Sequence, residues 1–391
     1  METEPHQASA APRHWRVMMR RIHLYLGLFL GGLVFLSALT GAALVFYIEI
    51  DEALVPGLRD VPSEARPASW QSVYTTLQRN HPERTGAWRI EVREQGGPIP
   101  VRYHDPVETR GELFAPLMLW LDPRDGSTIR SGFWGQYPAT WLYKLHWQLL
   151  AGTTGTITMG IAGTAMLVLL ISGLVAWWPR RGHIRNAFRF KRSAAPVRRL
   201  YDLHKLTAIS ILLLLFVVLP TGVMLELPQY ARPLLERASP LFASPAIHLE
   251  PRGRAALPLD PLVMKAKARF PDGKLAWIET PADATAPVRI SLARPGEPSR
   301  RFPRTTVWLD PYSGQILAIR DGLRESSGDK VLNWLHPLHA GEALGLFGRL
   351  LVLLTGVGTM FLVVTGIWRF LLRRRRPVHV KRRHRSKRLE S

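Results

Sequence analysis

Thirteen histidines and no cysteine bound the chemistry open to this 391-residue chain. Four of the histidines recur at fixed distances from glycine. His146 is followed by Gly152 and Gly155, and His339 by Gly345 and Gly348, both at offsets of 6 and 9. His23 precedes Thr40-Gly41 by 17 and 18 positions, and His204 precedes Thr221-Gly222 by the same interval. From His146 to Ser172-Gly173 is 26 and 27 residues, as it is from His339 to Thr365-Gly366. Two neutral imidazoles facing one another across a gap are what bis-histidine haem b requires, one nitrogen on either side of the iron. That ligation needs no cysteine. Disulfides, cysteinyl iron–sulfur clusters and haem attachment through Cys-x-x-Cys-His are excluded. His336 would share a helix face with His339 and competes with it as a ligand.

The four histidines stand beside apolar runs. Residues 22–48, 157–178, 206–227 and 346–372 are each near or above the roughly 20 residues that carry a helix across the hydrocarbon core. The first is too long for the core of a signal peptide and reads as an uncleaved anchor. Segments 1–23, 179–205 and 369–391 hold 24 of the 52 Lys and Arg but only four acids, which is +20 of the net +22. Positive flanks stay cytoplasmic. Both termini and the 179–205 loop are therefore expected in the cytosol, with 49–140 and 228–335 outside. Positive charge confined to membrane flanks signals topology and affinity for anionic lipid, not a nucleic-acid footprint.

This topology places His23 and His204 at the cytoplasmic face and His146 and His339 at the outer face. Ionisable side chains at membrane depth are costly and face the bundle interior for functional reasons. Each pair is then expected to converge across the bundle axis on one haem b. Gly27, Gly31 and Gly32 would give the macrocycle room. The Thr/Ser-Gly pairs are expected to let backbone approach a porphyrin face, each hydroxyl bonding back to its own helix. Ordinary small-residue helix packing is the plainer reading of the same glycines.

The outer segments repeat as well. WLDPRDG at 120–126 matches WLDPYSG at 308–314, and each reads as a β-hairpin. A short helical pattern, 72–80 or 262–270, lies upstream of each hairpin, followed by strand-like Trp88-Arg-Ile-Glu or Trp277-Ile-Glu and then by Pro-Val-Arg. Fixed internal periodicity is a fold-level signal. The expected fold is an integral-membrane α-helical four-helix bundle with two periplasmic α+β domains, built by internal duplication. The expected divisions are a cytoplasmic N-terminus 1–21, a first span 22–48, an α+β domain 49–140, and an entrance helix with second span 141–178. A basic loop 179–203, a third span 204–227, a second α+β domain 228–332, an entrance and fourth span 333–372, and a basic tail 373–391 complete it.

These motifs resemble the PepSY-associated transmembrane family. The resemblance is carried by Arg20-Arg21-Ile22-His23, the Leu-His…Gly…Gly entrances, Thr-Gly within the spans, a Trp plus basic stop, and the Asp-Pro-x-x-Gly hairpin. It covers nearly the whole chain, from about Arg16 to Arg376. Within that family the pattern is similar to inner-membrane siderophore reductases of the ferrioxamine-reductase type. The resemblance implies an oxidoreductase with two b haems and PepSY domains in the periplasm. It implies a cytoplasmic-side haem on His23 and His204 and a periplasmic-side haem on His146 and His339. It also implies a ferric siderophore as substrate.

No nucleotide-binding glycine fingerprint is present, so the electron donor is expected to be a flavoprotein or a quinol. The aromatic segment Phe133, Trp134, Tyr137, Trp141, Tyr143 and Trp147 reads either as a docking surface or as an interfacial belt. Two other readings stay open. One is a non-catalytic PepSY membrane protein that binds peptides or regulates an extracytoplasmic protease. The other is a metal transporter using the same histidines.

Overall fold

The computed structural model describes residues 11–179, 182–250 and 255–374. The expected cytoplasmic start before residue 11, and all of the basic tail beyond residue 374 with His379 and His384, lie outside them. Helix α1 (Ala11–Leu44) runs into the short α2 (Tyr47–Ala53) and α3 (Pro56–Arg59), and then α4 (Trp70–Asn80). Strands β1 (Trp88–Glu91), β2 (Ile99–Tyr103), β3 (Leu117–Leu121) and β4 (Thr128–Phe133) follow. The chain returns through α5 (Pro138–Gln148) into α6 (Gly152–Trp177), and turns at α7 (Ile184–Ala187). Helices α8 (Pro196–Ser210) and α9 (Leu212–Glu226) lead to α10 (Pro228–Glu236) and α11 (Leu259–Arg269). Then come β5 (Lys274–Glu279), β6 (Val288–Ala293), β7 (Thr305–Leu309) and β8 (Ile316–Arg320), before α12 (Ser327–His339) and α13 (Gly345–Arg374).

Among the described residues three helices are long and apolar enough to cross a membrane: α1, α6 and α13. Each leaves most of its apolar surface uncovered by protein, as at Phe29, Ile161 and Leu354. Such broad apolar exposure suits a hydrocarbon solvent rather than water. The third expected span is not one rod. It is the pair α8 and α9, bent by 64°. The bend falls at Ile211, which leaves helical geometry (φ −102°, ψ 5°) and buries its side chain beside Gly358 of α13. An unbroken run of apolar residues carries no mark of such a bend, because hydropathy reports burial and not backbone direction. Helix α1 packs on α6 and α13, α13 on α8, and α6 on α9.

The two α+β units expected from the sequence are halves of one sheet. Its eight strands run β4-β3-β2-β1-β5-β6-β7-β8, all neighbours antiparallel. The seam pairs Arg89 with Glu279, Ile90 with Ile278 and Glu91 with Trp277. Alone, each half would expose the unpaired amides of an edge strand, and pairing β1 with β5 removes both edges. The hairpins behave as their sequences require. Asp122 and Asp310 accept the amides two residues on, at 2.9 and 2.8 Å, and Gly126 and Gly314 adopt φ of +75° and +69°.

Alternation along the strands divides the sheet's two faces. Leu117, Leu119 and Leu121 join Ile90, Ile278 and Leu309 in a core under α4 and α11, with Leu77, Leu262 and Ala266. Met118 and Trp120 point the other way, onto Leu58 and Trp134. The helices cap each other across the halves. Asp260 of α11 accepts the Trp70 and Gln71 amides at 2.9 and 3.0 Å, while the Gln71 side chain accepts the Leu259 amide at 3.0 Å.

Glu279 is the buried acid of the seam, 4 % exposed. Burial alone would raise its pKa, but His104, Arg89 and Arg289 outweigh that and hold it at about 2. A depressed carboxylate contributes stability above its unfolded value and loses it as pH falls toward the folded one. Glu279→Gln is expected to cost on the order of 3 kcal/mol at pH 7. The gap between variant and wild type should close between about pH 4.5 and pH 2. Denaturant unfolding of the detergent-solubilised chain, read by near-ultraviolet circular dichroism, checks this; a pH-independent gap would contradict the ion network.

Candidate functional site

The four histidines at repeated spacings come together in two pairs. His23 of α1 faces His204 of α8 with ring centroids 6.3 Å apart and planes at 85°. His146 of α5 faces His339 of α12, again at 6.3 Å, with planes at 44°. The pairs lie at opposite ends of the helices. His146 meets Thr40, which is 17 residues beyond His23 and so about 25 Å further along α1.

Each ring is held by the helix that belongs to its own half of the chain. His23 Nδ1 lies 3.0 Å from the Leu169 carbonyl of α6, and His204 Nδ1 lies 3.1 Å from the Leu362 carbonyl of α13. His339 Nδ1 lies 2.9 Å from the Val218 carbonyl of α9. His146 Nδ1 lies 2.9 Å from the Thr40 hydroxyl of α1, with the Ser37 carbonyl also in reach. A carbonyl only accepts, so Nδ1 must carry the proton and donate. The hydroxyls point to the same tautomer. Thr40 Oγ1 donates to the Leu36 carbonyl at 2.8 Å, and Thr365 Oγ1 to the Phe361 carbonyl at 2.8 Å, leaving each oxygen to accept. With Nδ1 protonated, the lone pair sits on Nε2. That is the arrangement of a metal-binding imidazole oriented by a backbone carbonyl.

The glycines of the Thr/Ser-Gly pairs seat the imidazoles. A Cβ at Gly41 would stand 2.9 Å from His146 Cε1, at Gly173 2.7 Å from His23 Cε1, and at Gly222 2.8 Å from His339 Cε1. At Gly366 the gap to His204 Cε1 is 3.4 Å. The expected bond from hydroxyl to own helix is present in all four, at Thr40, Ser172, Thr221 and Thr365. Gly31 and Gly32 line an apolar groove of ≈ 430 Å³ between α1 and α13, beside Ile367 and Trp368.

The glycines 6 and 9 residues past His146 and His339 build the turns into the spans. Gly152 and Gly345 open α6 and α13 at φ of +56° and +59°. Gly155 and Gly348 pass so close to the Gln148 and Gly341 carbonyls that no Cβ fits. Leu149 and Leu150 also adopt positive φ, 50° and 57°, in the turn that follows His146. Such strain collects where a turn must present a particular side chain.

His336 is turned elsewhere. Its ring lies 4.9 Å from that of Phe302, and Nδ1 is 3.6 Å from Glu342. The aromatic segment before α6 is divided between buried and exposed side chains. Trp134 is buried against Phe114 and Tyr143, and Tyr137 packs on Trp120 and under the Arg130 guanidinium. These side chains join sheet to bundle; Trp141 alone among the named six is largely exposed. Two arginines are invisible to the spacing argument. Arg369 stacks on Tyr201 at 4.9 Å and is near enough for its charge to act on His23 and His204. Arg301 lies over Tyr47 and beside Phe302 and reaches Glu342 at 3.9 Å.

Two imidazoles per pair do not make a protein-only ion site. Among the described residues no group of three or more His, Asp or Glu could hold a metal ion. A ready-made macrocycle needs only two axial ligands. Metal–imidazole bonds of about 2.0 Å put the two nitrogens about 4 Å apart, and the ring centroids about 6.3 Å apart. The observed spacing is 6.3 Å at both pairs.

The family of the PepSY-associated TM region matches residues 20–373. The chain belongs to that family. No curated protein matches the chain. The matched region of this PepSY-associated protein contains both histidine pairs, the whole sheet, all of α6, α8 and α9, and most of α1 and α13.

Placing a methyl group against a held imidazole gives a graded test. Gly173→Ala and Gly222→Ala are each expected to destabilise the chain by about 1–3 kcal/mol, through overpacking of His23 and His339. Gly366→Ala, whose Cβ would stand 3.4 Å from His204 Cε1 in ordinary contact, should cost less than either. Thermal unfolding of the three variants in one detergent reads the order; equal losses would contradict the seating of the rings.

Proposed function

We propose that the protein is a dihaem b electron-transfer protein of the bacterial inner membrane that reduces ferric siderophores in the periplasm. The observation that supports it most is the pair of 6.3 Å imidazole couples, each ring fixed through Nδ1 with Nε2 left to bind. On this reading the chain is a duplicated span, α+β unit and span, closing a four-helix bundle in which α8 and α9 form one span. Basic flanks keep both termini in the cytoplasm and the sheet in the periplasm.

His23 and His204 would hold the cytoplasmic-side haem, and His146 and His339 the periplasmic-side haem. Bound there, haem b supplies a one-electron Fe(III)/Fe(II) couple. The chain's own groups do the rest. The carbonyls of Leu169, Leu362 and Val218 hold the proton on Nδ1 and aim Nε2. The glycine seats let the rings stand upright between helices. The apolar helix surfaces keep water from the pairs. Arg369 supplies positive charge near the inner pair, where the acidic side groups of a porphyrin would need it.

Ferric siderophore is the substrate class that this function implies. Hard oxygen donors hold Fe(III) far better than Fe(II), so one electron delivered outside releases the metal. The reaction demands no nucleophile and no general acid. An electron donor of flavoprotein or quinol type completes the cycle.

Full-length protein made with ample haem supply is expected to carry two b-type haems per chain, reducible by dithionite. His146→Ala or His339→Ala should leave one, and His336→Ala should leave both. The pyridine haemochrome assay counts them; a haem-free preparation, or haem lost with His336 and kept without His339, would contradict the proposal.

A further inference from the structure

Helices α9 and α12, which seat and carry His339, part at their sheet-side ends around a second cavity of ≈ 190 Å³. Its lining is divided by chemistry. Arg304, Arg320 and Asn333 face it from the sheet and α12, Arg232 from α10, and Met224 and Leu225 from the end of α9.

The arginines are not equally engaged. Arg320 pairs with Glu325, at 2.5 Å, and lies over the Phe242 ring at 4.3 Å. Asp329, the acid in the lining, is also occupied. Its carboxylate accepts the Phe242 amide at 3.0 Å and the Ser326 hydroxyl at 2.8 Å, with Arg320 at 3.6 Å. Arg304 is different. Glu297 grips its backbone amide at 2.8 Å and also the Thr305 amide and hydroxyl, so that carboxylate is spent on main chain and threonine. Among the described residues no carboxylate pairs directly with the Arg304 guanidinium, which feels Glu325, Glu297 and Asp329 only at longer range. Burial and the nearby Arg320 both disfavour its charge.

A partly buried guanidinium without a partner is costly, and its planar fork of donors matches oxyanions. The cavity has room for about six water-sized groups at ~30 Å³ each. That suits a phosphate group with a few further atoms. Met224 and Leu225 end a membrane helix, the level at which lipid phosphates lie. We propose that this cavity binds a phosphate-type oxyanion, presented by a phospholipid headgroup or free in solution, with Arg304 as its principal contact. The site is separate from the histidine pairs and does not depend on their function.

Delipidated full-length protein in detergent is titrated with inorganic phosphate and, separately, with dihexanoyl-phosphatidylglycerol, following the unfolding midpoint. A saturable rise is expected with at least one probe, as for any ligand bound by the native state alone. Saturation by phosphate identifies a free-ion site, and saturation by the short-chain lipid alone identifies a headgroup site. Arg304→Gln should raise the half-saturating concentration by about tenfold or more, the effect of losing a charged hydrogen-bond donor. Without probe, Arg304→Gln should unfold no earlier than wild type, because it removes an unpaired charge. Arg232 is exposed on α10, so Arg232→Gln offers a second variant whose fold is not at stake, and it should weaken binding several-fold. Arg324→Gln, 89 % exposed and outside the lining, should change nothing. No saturable rise with either probe, or binding unchanged in both Arg304→Gln and Arg232→Gln, would overturn the proposal. Earlier unfolding of Arg304→Gln without probe would also overturn it, by showing the residue to be structural.

Discussion

A buried imidazole donating from Nδ1 to a carbonyl of the neighbouring helix is the contact on which the rest of this structure depends. The carbonyl belongs to a helix whose own ladder still uses it, so the histidine must come very close. It can do so only where the facing helix has no Cβ. Glycine supplies that gap at Gly41, Gly173, Gly222 and Gly366, and the adjacent hydroxyl lies on the same ring nitrogen. Ring position, tautomer and helix separation are thereby set by one motif of two residues. A serine or threonine without the glycine would leave the ring outside; a glycine without the hydroxyl would leave it free to turn.

The sheet gives this motif a counterpart at larger scale. Each ring is seated by a helix of its own half but faces a ring from the other half. The spacing between rings therefore depends on how the halves are joined, and outside the bundle they are joined by the β1–β5 seam. Ile90 and Ile278, both fully buried there, contribute about 1.5–3 kcal/mol each. The ion network at Glu279 adds to the stability of the seam at neutral pH, since its partners outweigh the cost of burial. The caps that Asp260 makes on α4 add a second tie between halves.

Much of this was legible from spacing. Rulers between histidine and Thr/Ser-Gly are preserved because a helix converts residue number directly into height and angle. They picked out the four rings and the helices that seat them. What the rulers could not carry was the identity of the acceptors, since the Leu169, Leu362 and Val218 carbonyls are backbone and any residue supplies one. The contact between each glycine and an imidazole was therefore not readable from spacing. The hairpins and short helices of the sheet were readable from Asp-Pro-x-x-Gly and apolar alternation. That the two halves share one sheet was not, because an edge strand and a seam strand have the same composition. The bend at Ile211 and the placement of Trp134 depend equally on contacts far apart in sequence.

The most direct test of the central claim is low-temperature electron paramagnetic resonance of the oxidised full-length protein. Iron held between two imidazoles is low-spin, and its anisotropy grows as the ring planes approach a right angle. The account predicts two low-spin ferric signals: a highly anisotropic one from His23 and His204, with planes at 85°, and a less anisotropic one from His146 and His339, at 44°. A predominantly high-spin ferric spectrum, or no iron signal at all from a haem-replete preparation, would contradict it.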